Sequence, residues 1–440
     1  SVVDERGDTD TAFRVVISGI VIFTIITATG FLTIYVIPFA FVERFGISRE
    51  QWQWVKLLAP LVIVYPVTQI SFGVMRGYDR STPKVLSGDV LNKLIALGAL
   101  GIAIWQNSGV LIFLSFYLTQ YLMSSVLSSG YAIYLLKNKL KMITELDQFG
   151  QDARQLFSYS WPLALKNATR RLLGNTDIVL VGALLASSAV GYYRVGYVLS
   201  QLGMITLIAI TYLFTPRVAR QYDNDNREAI EHLYCQATKW STLLTLPLLL
   251  TMIYYPTKLI ELFFGSEYAP GSFVLMVLSV DVLLRTGMGT AAAVLRAIDR
   301  TRVDFAVTGV TTIVNVGLSY ILIQEFGVVG AAIGTFLSVL FMNIAQILLV
   351  YLFISIHPFS KRYIAGVVAL FGLSIPLSLL LDSLVGDIMI AQIDFSVTVI
   401  LFVIIFTLVE ILFGWLSGLI TQNEKTVVRE YIYKALSGSK

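Results

Sequence analysis

The sequence predicts an all-α protein: a polytopic membrane bundle with about twelve membrane-crossing helices in two pseudo-symmetric lobes. Three observations predict it. Of the 440 residues, 56% are hydrophobic and only 14% charged. A soluble domain has about a quarter of its residues charged, so this chain has too little polar surface to cover itself in water. Apolar runs of about 20 residues, the length that crosses a bilayer, follow one another along the chain. Finally, one phrase is written twice: Val74-Met75-Arg76-Gly77-Tyr78-Asp79-Arg80-Ser81 returns as Val294-Leu295-Arg296-Ala297-Ile298-Asp299-Arg300-Thr301.

From Val74 to Val294 the offset is 220 residues. Two other matches are collinear with it. Val42-Glu43-Arg44-Phe45-Gly46 corresponds to Ile260-Glu261-Leu262-Phe263-Phe264-Gly265, and Gly109-Val110 to Gly327-Val328. An internal duplication follows.

The apolar runs predict helices over 12–40, 54–75, 84–105 and 108–136, then 156–184, 188–216, 232–256, 270–295, 303–324 and 328–355, and last 362–382 and 394–419. This gives an N-terminal lobe over 1–150 with four helices, a C-terminal lobe over 151–355 with six, and two additional helices with a tail over 356–440. The longest connections, 137–155 and 217–231, leave no room for a soluble catalytic domain. Residues 421–440 are a polar tail that can hold a short surface helix. Residues 1–10 are polar and charged, unlike a cleavable signal peptide. The second copy of the phrase is preceded by helices 156–184 and 188–216, whose counterparts fall before residue 1. The expectation is a complete form with about 60 further residues and fourteen helices, its halves being parallel repeats about an axis along the membrane normal.

Lys and Arg set the topology. Arg76, Arg80, Lys84, Lys137, Lys139, Lys141, Arg154, Arg217, Arg220, Arg227, Arg296, Arg300, Arg302, Lys361 and Arg362 fall in one set of loops. The other set carries only Arg44, Arg49, Lys56 and Lys258. The repeated phrase and the C-terminus are therefore expected in the cytoplasm. With one cysteine, Cys235, and two histidines, His232 and His357, the chain offers no disulfide framework and no Cys- or His-based metal site. No cofactor, metal or nucleic acid is expected. A G-x-x-x-x-G-K-[ST] phosphate loop is absent, so ATP is not the direct driver.

Several phrases, in their order, resemble the polysaccharide-biosynthesis (oligosaccharidyl-lipid flippase) branch of the MOP transporter superfamily. They are Arg76-Gly77-Tyr78-Asp79-Arg80; Ser160-Trp161-Pro162 with Asn175-Thr176-Asp177; Gly191-Tyr192-Tyr193; Pro216-Arg217 with Arg220; and Phe263-Phe264-Gly265-Ser266-Glu267-Tyr268. The resemblance implies a V-shaped, MATE-like transporter rather than an enzyme. It would carry a polyprenyl-diphosphate-linked oligosaccharide from the cytoplasmic to the outer leaflet by alternating access. It further implies a monomer in the plasma or inner membrane, in contact with membrane lipids and with glycan polymerase or glycosyltransferase partners.

Ionisable residues inside membrane spans are costly and default to function. Lys93, Lys166, Arg170, Arg171 and Arg285 are five cations within predicted spans; Asp177 and Asp281 are the two anions beside them. Lys93, Lys166 and Arg285 each lie nine to eleven residues from the cytoplasmic end of a span, about 14–17 Å deep. Lys166, Arg170 and Asp177 share a stripe on one helix, and Asp281 and Arg285 stand four residues apart. A cationic cavity suits a diphosphate, which Arg grips bidentately and Lys as a point charge. Asp177 and Asp281 can hold those cations in place or serve as proton or sodium sites. Arg76, Asp79, Arg80, Arg296, Asp299 and Arg300 read as cytoplasmic helix-end charges that tie helices or gate. Other readings compete. Lys166 and Arg171 can snorkel to the surface, and Asp281–Arg285 can be a structural pair. Lys239 beside Trp240 reads as an interface anchor, Glu410 as a buried structural carboxyl. Asp223-Asn224-Asp225 matches a glycosyltransferase D-x-D without an α/β domain around it. The small residues from Gly289 to Ala293 read as a close helix contact.

As a function, flipping of lipid-linked oligosaccharide competes with multidrug or organic-cation export, which favours an acidic pocket, and with murein-precursor flipping. A membrane glycan polymerase or ligase is the reading from another class; it usually needs a sizeable outer loop, and those near 257–269 and 383–393 are short. A non-catalytic assembly partner is a further alternative.

Overall fold

The structure, a computed structural model, describes residues 9–44, 48–77, 91–105, 110–136, 175–386 and 394–420, with 422, 424 and 426. No strand occurs among them. The chain divides into two compact units, Ser1–Arg170 and Arg171–Lys440.

The first unit holds α1 (Thr9–Val36), α2 (Phe39–Glu43), α3 (Arg49–Leu58), α4 (Leu61–Gly77), α5 (Leu91–Trp105) and α6 (Val110–Leu136). The helix expected over 12–40 stops at Val36, because the residue before Pro38 disfavours helical geometry. The span expected over 54–75 starts earlier, at Arg49. A reciprocal cap sets that start: Ser48 Oγ accepts from Gln51 N at 3.2 Å, and Gln51 Oε1 accepts from Ser48 N at 2.9 Å. A turn at Ala59 and Pro60 interrupts the helix without ending the span, which runs from Arg49 to Met75. Helices α4 and α6 are parallel. Ser71 Oγ meets Ser129 Oγ at 3.1 Å and the Tyr65 ring lies 6.1 Å from that of Tyr121, nearly the same sequence offset in both pairs.

The second unit begins with α7 (Thr176–Leu184). A long bent span follows: α8 (Ser187–Ser200), a 3₁₀ turn (Gln201–Gly203) and α9 (Met204–Asp223). Next come α10 (Arg227–Tyr254) and α11 (Pro256–Phe264), at 89° to each other. Pro256 opens α11 where its missing N–H costs nothing. Residues expected as an outer loop are thus partly helical, with Leu262 and Phe263 exposed. The unit continues with α12 (Ser272–Met288), α13 (Ala291–Ala297), α14 (Thr301–Ile354), α15 (Lys361–Gly386) and α16 (Asp394–Leu416).

Two glycines break the helical runs, one where a break was expected and one inside an expected helix. Gly327, at φ 58° and ψ −138°, breaks the 54-residue α14. Its arms form an antiparallel hairpin: Asp304 pairs with Gln346, Asn315 with Thr335, and Gly334 packs on Ser319. The helices expected over 303–324 and 328–355 are these two arms. Gly289, at φ 84°, breaks the helix expected over 270–295 into α12 and α13. Its small side was expected to permit a close contact, and a Cβ there would strike Thr238 Oγ1. The backbone break is the added feature. The flanking carbonyls are satisfied from α10 and α15: Ser241 donates to Thr286 O at 3.0 Å, and Tyr363 donates to Gly287 O at 2.9 Å. Broken backbone at membrane depth survives only with such partners.

Packing between these helices is tight. At Gly203 a Cβ would sit 2.6 Å from Leu249 and 3.0 Å from Val282, so glycine permits three helices to meet. Lipid tails are as apolar as leucine, so dispersion and hydrogen bonding hold such contacts. Among the described residues six helices are long and apolar enough to cross a membrane, seven if α10 and α11 count as one. One of the six is the doubled α14.

Candidate functional site

Asp177 lies in the first turn of α7, where the helix dipole favours an anion. Three hydroxyls converge on its carboxylate. Thr335 Oγ1 donates to Oδ2 at 2.7 Å, Tyr193 Oη to Oδ2 at 3.1 Å and Ser319 Oγ to Oδ1 at 3.4 Å. Asn315 Nδ2 donates to Thr335 Oγ1 at 3.4 Å. Tyr193 comes from α8, Asn315 and Ser319 from the first arm of α14, and Thr335 from the second. The hairpin at Gly327 therefore brings the last three together. Among the described residues no Lys or Arg pairs with Asp177. Hydroxyl groups around a carboxylate with no cationic partner among the described residues suit a proton or a small hard cation. No cluster of three or more His, Cys, Asp or Glu occurs among the described residues.

Asp281 and Arg285 meet on α12. Arg285 Nε donates to Asp281 Oδ2 at 2.8 Å, and Nη2 lies 2.7 Å from the same oxygen. The Asp281 side chain is 4% exposed and that of Arg285 26%. The carboxylate is sealed in; the guanidinium is tethered at one edge and open at another. The pair stands one turn before the break at Gly289.

The remaining expected residues fall as follows. Lys93 is exposed on α5. Lys166, Arg170, Arg171, Asp79 and Arg80 lie outside the described residues, and Arg76 is described only as part of helix α4. The common stripe assumed one helix from Lys166 to Asp177. Asn175, at φ −126° and ψ 10°, leaves helical geometry, so that register does not reach Asp177. In the second copy of the phrase, Asp299 has φ 58°. Arg300 N bonds Leu295 O at 2.8 Å, and Asp299 N bonds Arg296 O at 3.3 Å. This is a Schellman helix end with Asp in the left-handed position. Arg296 Nη1 donates to Asp304 Oδ2 at 3.0 Å, Gln346 Nε2 donates to Asp304 Oδ1 at 3.0 Å, and Arg300 lies over the Phe353 ring. The phrase thus ties α13 to both arms of α14.

Two side readings change. Lys239 is not an interface anchor. It is buried, and its Nζ donates to both Glu424 oxygens at 2.7 and 2.8 Å and to Leu419 O at 3.3 Å; Trp240 Nε1 donates to Glu424 at 2.9 Å. Asp225 adopts φ 53° at the end of α9, with Asn226 capping α10. The D-x-D phrase is therefore a turn between two helices. A cavity of about 210 Å³ in the first unit is lined by residues that include Phe23, Ile63, Val67, Ile70 and Ser71, with no charge among them.

Sequence reasoning missed Tyr193, Ser319, Asn315 and Thr335. Asn315 and Ser319, four apart in an apolar run, were the available signal. Glu424 had none, because it lies past the last span.

These elements define a multi-pass helical membrane protein with the fold of MOP-superfamily transporters. The fold matches the inward closed lipid II flippase MurJ at a TM-score of 0.67 and 14% identity, over 92% of this chain and 83% of that one. It matches an inward-facing multidrug-resistance MATE transporter at 0.65 and 16%, over 81% and 84%. The chain belongs to the polysaccharide biosynthesis protein family, whose pattern matches residues 8–273. Among its relatives is the "Probable low-salt glycan biosynthesis flippase Agl15" of Haloferax volcanii, 24% identical over 64% of this chain and 57% of its own. Another is the teichuronic acid biosynthesis protein TuaB of Bacillus subtilis, 25% identical over 57% and 50%. The chain thus spans about half the length of these relatives.

Proposed function

We propose that the chain is a flippase for polyprenyl-diphosphate-linked oligosaccharide, moving it from the cytoplasmic to the outer leaflet by alternating access. It breaks no bond and acts as a monomer in the cell membrane, with its C-terminus in the cytoplasm on the positive-inside rule. The observation that carries the reading is Arg285: a tethered, partly exposed cation inside a span of a polysaccharide biosynthesis family member. A guanidinium with free donors suits a diphosphate and repels an organic cation. Lys93, Lys166, Arg170 and Arg171 are further cations for the same anion, and Asp177 with its hydroxyls is the site of the coupling proton or sodium ion. The lobes over 1–150 and 151–355 are the moving bodies, with 356–440 appended.

The test is a reconstituted vesicle assay with a fluorescent polyprenyl-diphosphate glycan and, in parallel, a fluorescent quaternary-amine drug. Flipping of the glycan lipid, lost on Arg285→Ala, is expected. Transport of the amine and not of the glycan lipid overturns the reading in favour of drug export.

A further inference from the structure

The first unit carries three tyrosines in contact, one of them away from the depth at which membrane tyrosines usually sit. Tyr65 on α4 is eleven residues from Arg76, about 16 Å along the helix axis. Aromatic belts belong to the two interfaces. The Tyr65 ring lies 6.1 Å from that of Tyr121 on α6, edge-on at 61°. Tyr121 in turn lies 5.2 Å from Tyr117, at 63°, with their hydroxyls 3.5 Å apart. The three rings form a continuous ladder across two helices.

The ladder does not face lipid. At 100° per residue, Tyr117 and Tyr121 share the α6 face with Ser124 and Ser128, which are 0% and 1% exposed. Val126 and Ile133, at 70% and 59% exposed, lie on the opposite face. Tyr117 is nevertheless 37% exposed, on the side of α6 away from Val126 and Ile133. On α4, Tyr65 shares its stripe with Gln69, which is exposed. An amide turned outward in mid-span points to a polar ligand or water, not hydrocarbon.

The chemistry is specific. Three phenols and one amide are polar and uncharged, so the ladder offers no grip for a diphosphate. Aromatic faces carry partial negative charge and attract the weakly positive C–H bonds on one face of a sugar ring. The hydroxyls and the amide can meet the sugar's own hydroxyls. The repeat adds an independent pointer: at the 220-residue offset Tyr65 corresponds to Arg285. One scaffold position thus carries a phenol in one unit and a cation in the other, so the first unit offers neutral chemistry where the second offers charge.

We infer that Tyr65, Tyr117 and Tyr121, with Gln69, form a saccharide-binding shelf for the glycan part of the substrate. This rests on the flippase reading. The test uses the whole chain in lipid nanodiscs and two probes, polyprenyl diphosphate carrying a neutral disaccharide and the same lipid without sugar. Binding is followed by thermophoresis. The disaccharide lipid should bind about tenfold more tightly than the bare lipid. Tyr65→Leu and Tyr121→Leu should each remove most of that advantage and leave the bare lipid unchanged; Tyr→Phe at either position should keep it within about twofold, because the ring face remains. The more exposed Tyr117→Leu serves if a Leu variant at the other positions unfolds. Equal weakening of both probes assigns the ladder to the lipid and overturns the shelf, as does an unchanged preference in the Leu variants. A wild-type chain that binds bare diphosphate without preferring the sugar also overturns it, leaving the flippase reading standing. A wild-type chain that binds neither probe sinks both.

Discussion

The Asp281–Arg285 pair predicts an asymmetry that stability measurements can read. Arg285→Ala leaves a carboxylate that is 4% exposed, with its two short hydrogen bonds gone. Removing one partner of a buried pair typically costs about 3–5 kcal/mol. Asp281→Ala leaves a guanidinium that is 26% exposed, so its cost is about 1–3 kcal/mol. Replacing both, as Asp281→Leu with Arg285→Met, leaves no stranded charge and should fall within about 2 kcal/mol of wild type. The four proteins are compared by denaturant titration in detergent micelles, followed by tryptophan fluorescence. The double variant should be more stable than the Arg285→Ala single variant. Additive losses, or a larger loss from Asp281→Ala, would refute the argument that the carboxylate is the sealed partner. The same set separates structure from transport. Asp281→Asn keeps the cation and frees it, so flipping should fall less than in Arg285→Ala.

Three further outcomes are expected. Asp177→Asn keeps the outline of the cluster and removes its charge; flipping should lose its response to an imposed proton or sodium gradient, with stability within about 1 kcal/mol of wild type, and a retained response in vesicles would exclude this site as the coupling point. Lys239→Met strands Glu424, 13% exposed, and should cost about 3 kcal/mol, with faster proteolytic release of the segment past Leu416; an unchanged cleavage rate contradicts a holding role for the Lys239–Glu424 pair. Asp299→Gly removes the cost of a left-handed residue and should stabilise by up to about 1 kcal/mol, whereas Asp299→Val should destabilise by about 1–2 kcal/mol, both read as melting shifts in detergent.

Length and apolarity made the helices legible, because crossing a bilayer demands both. The breaks were harder to read. Gly327 falls in the gap between the runs expected over 303–324 and 328–355, but Pro60 and Gly289 lie inside the runs expected over 54–75 and 270–295, and only backbone geometry separates a tolerated glycine from a break. The pair Asp281–Arg285 was legible because helical spacing alone brings its members together. The Asp177 cluster was not. Its hydroxyl donors lie 16, 142 and 158 residues away, and the two distant ones meet only through the α14 hairpin. Glu424 is a long-range partner of the same kind, and Lys239 looked like an anchor because its burial depends on it.

The duplication discriminates among the remaining charges. In its second copy the repeated phrase is a turn: Asp299 stands where a left-handed residue is needed, and Arg296 reaches Asp304. A copied phrase with a local backbone role gives no reason to assign it a ligand. Charges without a twin differ among themselves. At the 220-residue offset Lys93 corresponds to Ile313, which is 76% exposed; a lysine at an outward-facing position can extend along the helix to the membrane surface. Arg285 cannot, because Asp281 holds it at the level of the helix break. The tether therefore separates the two cations. Arg285 is the proposed diphosphate contact, and Lys93 belongs to the proposed substrate site only if its removal weakens diphosphate binding as Arg285→Ala does.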